Sequence, residues 1–122
     1  PPINFAARNA QLIASIKKAI NNSETDFADF KKVSMQYRQG AISAQSYYNE
    51  FNRICGPEAA RIFPELVALL PDSVKQEQLL QVRLNEACHW LVVQYLSYVP
   101  PISVENEPMK SVHIFTIQSD II

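Results

Sequence analysis

Apolar residues recur along most of this chain at intervals of three and four, the spacing of helices with one buried face. Leu12, Ile13, Ile16 and Ile20 fall on one face of a first helix predicted over 5–21, while Arg8, Gln11, Lys17 and Lys18 point elsewhere. Asn4 stands where a side chain can accept from the orphan N–H groups of the first turn. Ser23-Glu24-Thr25-Asp26 is the next start signal, a capping hydroxyl followed by acids at the positive end of a helix. Phe27, Phe30, Val33, Ser34 and Tyr37 form the second stripe, and Gly40 is suited to leave the helix in the left-handed conformation. Ser43 caps a third helix, with Tyr47, Phe51 and Ile54 on one face and Tyr48 and Cys55 beside it. Gly56-Pro57 closes that helix and opens another, Pro57 taking the tolerated first position. Pro64 lacks an N–H and crowds the preceding turn, so two short pieces are predicted, 57–62 and 64–70, broken near Phe63.

Leu66, Val67, Leu69 and Leu70 are the densest apolar cluster and are assigned to the core. Pro71-Asp72 is a break followed by a cap. The longest helix is predicted over 73–98, with Leu80, Leu84, Ala87, Leu91 and Tyr95 as its stripe and Cys88, Trp90 and Val92 widening it. So wide an apolar arc calls for burial or for a partner. Pro100-Pro101 stops the helix. Beyond it, SVHIFTIQ is rich in β-branched and aromatic residues and reads as extended. The expected fold is all-α: a four- to five-helix bundle over residues 1–98, with a long last helix, and an extended tail over 99–122.

Composition narrows the function classes. At 122 residues and 48% apolar, the chain is long and apolar enough to bury one core. Two glycines are too few for a turn-rich β protein. The net charge of −1 lacks the basic surplus of a typical nucleic-acid binder, although Arg8, Lys17, Lys18, Lys31, Lys32 and Arg38 make the first third basic. No run of about 18 apolar residues is present, so no membrane span is expected. The start at Pro1-Pro2 without Met is read as the cut edge of a longer protein, with no signal peptide at its head.

Candidate chemistry is sparse. Cys55 and Cys88 are far apart, and His89 and His113 are the only histidines, so no zinc site and no other metal or cofactor is expected. Buried, reduced thiols of a cytoplasmic protein are expected instead, with a disulfide between the two left open but unforced. Cys88 and His89 are neighbours on a helix and point about 100° apart, which rules against a catalytic pair. Asp26 with Asp29, and Glu77 with Glu86, read as caps or solvated faces. No catalytic residue is assigned.

Three stretches carry a resemblance. FAARNAQLIASIKKAI, FADFKKVSMQYRQGAISAQSYYNEF and FPELVALLPDSVKQEQLL together resemble a C-terminal domain of the RING and zinc-finger E3 ubiquitin ligases that recognise collided ribosomes. The matching features are Arg8-Asn9 before Leu12-Ile13, Phe30 with the turn at Tyr37 to Gly40, Ile42-Ser43, Tyr47-Tyr48, and the break at Leu69 to Asp72 with Lys75-Gln76 after it. The match covers about residues 5–86. That domain is in turn similar to the paired amphipathic helix (PAH) domains of Sin-type corepressors, through the helical hairpin and Phe63, Leu66 and Leu69 to Pro71.

The resemblance implies a non-catalytic interaction domain in a ligase of ribosome-associated quality control. It implies a partner's amphipathic helix held between the first two helices, in a groove lined by Ile13, Ile16, Ile20, Phe30 and Tyr37. Two rival readings come from the residues. One is a ribosome or RNA contact through the basic first two helices. The other is self-association or autoinhibition by the apolar tail.

Overall fold

The computed structural model describes residues 3–98. Among them are five α-helices and one 3-10 turn: α1 (Phe5–Ala19), α2 (Glu24–Arg38), α3 (Ala44–Cys55), the 3-10 turn (Gly56–Glu58), α4 (Ala59–Ala68) and α5 (Ser73–Ser97). No strand occurs among the described residues. The described residues are therefore all-α, with the long last helix that periodicity predicts. The expected tail over 99–122, with its extended SVHIFTIQ segment, lies outside the described residues. One compact unit ends at Cys88 and a second begins at His89.

Helix ends follow local chemistry. The Ser23 Oγ accepts from the Asp26 N–H at 3.2 Å, and the Ser43 Oγ accepts from the Ser46 N–H at 3.1 Å. Asp72 Oδ1 accepts from the Val74 N–H at 2.9 Å and so caps α5. Two helices close with the paired bonds of a left-handed cap. At the end of α1, the Asn22 N–H donates to Lys17 O and the Asn21 N–H to Lys18 O. At the end of α2, the Ala41 N–H donates to Gln36 O and the Gly40 N–H to Tyr37 O. Asn4 departs from expectation. It is itself left-handed, at φ 60°, and its side chain makes no cap bond.

Pro64 does not break the fourth helix as the sequence suggests, because α4 runs through it without interruption. A proline costs a helix the bond to the carbonyl four residues back. Here that residue is Ala60, and both Ala60 and Pro64 are exposed, so water can serve the freed carbonyl.

The core explains which helices pair. Ile16, Phe51 and Leu79 are fully buried, with Tyr37 and Tyr47 at 1% exposure. α2 packs chiefly on α3, while α1 packs chiefly on α4. The Tyr37 and Tyr47 rings stack at 4.8 Å, and the Phe51 ring lies between those of Phe30 and Phe63 at 6.3 Å from each. Polar bonds fasten the start of α5. The Tyr37 hydroxyl donates to Lys75 O at 2.8 Å, and the Gln76 amide donates to Val67 O and Leu70 O at the C-terminal end of α4.

The stripe expected on α5 is not the buried one. Leu79 is buried and Val82 packs half-buried beside it, whereas Leu80, Leu84, Leu91 and Tyr95 are exposed. Only the first turns of α5 reach the core, so packing there selects a different register from the one periodicity suggests.

Candidate interaction groove

α1 and α2 are successive helices, but each is held by a different partner. That arrangement leaves a gap between them. The α1 wall carries Phe5, Asn9, Leu12 and Ile13, and the α2 wall carries Phe30, Lys31, Ser34, Met35 and Arg38. Tyr47 of α3 and Leu66, Leu69, Leu70 and Pro71 at the end of α4 complete it. The cavity measures about 520 Å³, within the range of about 300–1,000 Å³ usual for sites that bury a ligand. A second hollow of about 510 Å³ shares Phe5, Leu69, Leu70 and Pro71 and continues to Ser73 and Gln76.

The residues assigned to the groove from the sequence divide. Ile13 lines the cavity and is half-buried, and Phe30 contributes a largely buried ring. Ile16, Ile20 and Tyr37 are buried in the core and absent from the lining. Helical spacing identifies the face of a helix that goes inward. It does not separate residues that fill the core from those at its edge. Two wall residues lie off the assigned stripes: Phe5 is 38% exposed and Met35 is 52% exposed. Met35 is an apolar residue among the polar positions of α2.

The groove's chemistry is apolar with a basic edge. Lys31 and Arg38 are the ionisable lysine and arginine in the lining, and no carboxylate lines it. Neither has an ion-pair partner among the described residues. Deeper in, Ser34 Oγ and the Tyr47 hydroxyl share a buried hydrogen bond at 2.7 Å. Burial pushes the Tyr47 phenol up from 10.0 to about 12, against a smaller opposing effect of that bond. The α1 wall is pinned at its start. The Arg8 guanidinium donates to both Glu65 oxygens, at 2.8 Å from Nε and 2.6 Å from Nη2. That hydrogen bond holds the Glu65 carboxyl below its ordinary value, outweighing desolvation.

Elsewhere the functional candidates stay separate. Cys55 is buried, and burial raises its thiol to about 11, so it stays protonated. Cys88, expected to be buried like Cys55, is instead exposed, as is His89, because that part of α5 does not reach the core. No group of three His, Cys, Asp or Glu side chains gathers to hold a metal among the described residues. No helix among them is long and apolar enough to cross a membrane. On the basic face, the Lys17 and Lys31 ammonium groups stand 4.9 and 5.4 Å from the Phe27 ring.

A small helical unit whose first two helices wall an apolar groove, closed below by a third and fourth, has the architecture of a paired amphipathic helix domain. Comparison with known proteins gives the same class: the family model of the ZNF598 PAH domain matches residues 6–84. The E3 ubiquitin-protein ligase ZNF598 of Mus musculus is 48% identical over 84 residues, which is 69% of this chain and 9% of that protein. Its counterpart in Danio rerio is 47% identical over 79 residues, 65% of this chain and 8% of that protein. The Homo sapiens protein is 44% identical over 84 residues, again 69% and 9%. This chain belongs to the ZNF598 PAH domain family. It spans less than a tenth of the length of these relatives. No solved structure matches it.

Proposed function

We propose that this unit is a non-catalytic protein-interaction module that holds an amphipathic helix of a partner protein between α1 and α2. The observation that carries this reading is the groove itself, an apolar cavity between two helices that are braced by different neighbours. A partner helix laid there would bury a few apolar anchors against Leu12, Ile13, Leu66 and Leu69, the usual way a groove gains affinity.

The relatives are named E3 ubiquitin-protein ligases, so the module would serve recruitment within such a ligase, with ubiquitin transfer performed outside this chain. The family resemblance extends the proposal to ribosome-associated quality control and to the cytoplasm. The test is selection from a displayed library of amphipathic helices with the full chain as bait, followed by binding measurements on the double substitution Phe5→Ala and Met35→Ala. Both side chains are exposed, so the fold should persist, as a circular dichroism melt would check. Selected helices should bind the double variant about tenfold more weakly or worse. Unchanged affinity, or binding that resides on the Lys17, Lys18 and Lys32 face and collapses with salt, would contradict the groove.

A further inference from the structure

The two walls of the groove are not equivalent. The α1 wall presents Phe5, Asn9, Leu12 and Ile13, none of them charged. The α2 wall presents Lys31 and Arg38. These two are seven residues apart, so they lie on one face of α2, two turns and about 10 Å apart along its axis. Ser34 and Met35 occupy the turn between them. Both cations are exposed and neither is paired with a carboxylate among the described residues. Glu65 is held by Arg8, Asp72 caps α5, and the Lys31 ammonium stands 5.4 Å from the Phe27 ring.

Resting on the helix-in-groove reading, we propose that the occupant is an acidic amphipathic helix whose carboxylates lie along one edge only, the edge facing α2, at seven-residue spacing. A helix alongside α2 repeats its side chains with the same rise, so Glu or Asp at i and i+7 would meet Lys31 and Arg38 together. The edge facing α1 meets no charge and is left to neutral residues. Charge at such a rim selects partners and orients them more than it adds affinity. The asymmetry therefore fixes which side of the helix faces α2.

The test uses a displayed library of 18-residue helices. Its central stripe is drawn from Leu, Ile, Val, Phe, Met and Ala, and both flanking edges from Glu, Gln and Lys. It is selected on the full 122-residue chain and, in parallel, on the chain carrying Lys31→Glu and Arg38→Glu. The expected result is Glu enrichment about tenfold over Lys on one edge, none on the other, and a switch to Lys on that same edge with the charge-reversed chain. Helices enriched for the apolar stripe but indifferent to edge charge would overturn the acidic partner and leave the groove reading standing. Acids enriched equally on both edges, or a preference that survives the charge reversal, would overturn the role of Lys31 and Arg38. No enrichment of any helix would overturn both readings.

Discussion

The Tyr47 phenol is buried between α2 and α3, stacked on Tyr37 and hydrogen-bonded to Ser34. Either partner alone would be an unsatisfied buried hydroxyl. Tyr47→Phe should cost about 1–2 kcal/mol and Ser34→Ala a similar amount. The double substitution should cost clearly less than the sum, because nothing polar is then left unpaired. A denaturation cycle at neutral pH measures this, and strict additivity would mean that the bond contributes nothing. The same phenol predicts an alkaline effect. Its folded value of about 12 lies above 10.0, so its stabilisation is complete below pH 10 and is lost as pH rises toward 12. Cys55, raised to about 11, acts in the same direction. Tyr47→Phe should therefore flatten the alkaline limb only in part.

At the scale of the element, helix ends decide where the walls stop. Gly40 sits at φ 77° with nothing within 4 Å of where a Cβ would be. Gly40→Ala should cost about 1 kcal/mol, from left-handed backbone strain and without a clash. A loss several times larger in a thermal melt would point to packing the structure does not contain. The same elements show what was legible in the sequence. The stripes of α2 and α3 were readable, because aromatic residues at helical spacing between capping serines leave little choice of face. The continuity of α4 was not. Whether Pro64 breaks a helix depends on whether water reaches the carbonyl of Ala60, and that is a property of the packed unit. The stripe on α5 misled for a related reason: its first turns alone meet the core, and they meet it through Leu79.

At the scale of the molecule, the groove exists because α1 answers to α4 and α2 to α3. The Arg8 fork on Glu65 is the polar part of the first attachment. Its contribution has a defined sign. A carboxyl held below its ordinary value of about 4.3 stabilises the fold above that pH, and the effect is lost as pH falls through the lowered folded value. Glu65→Gln should flatten the acid limb of stability against pH, as acid titrations of both proteins would show. An unchanged acid limb would mean the pair does not anchor α1. The groove was only half readable from the sequence. Resemblance to paired amphipathic helix domains indicates the α1–α2 gap, and Ile13 and Phe30 line it. Ile16, Ile20 and Tyr37 were drawn toward it only because they share faces with lining residues. Phe5, Met35 and the basic edge depend on depth in the fold, which spacing does not encode.

The gap between α1 and α2 is the proposed meeting place of this unit and its partner. The most direct measurement is chemical-shift mapping on the isotope-labelled full chain, titrated with a helix from the one-edged acidic selection. The largest shifts are expected at Asn9, Ile13, Met35, Arg38 and Leu69, on both walls and the floor together. Shifts confined to the Lys17 and Phe27 face, or to the exposed side of α5, would contradict it.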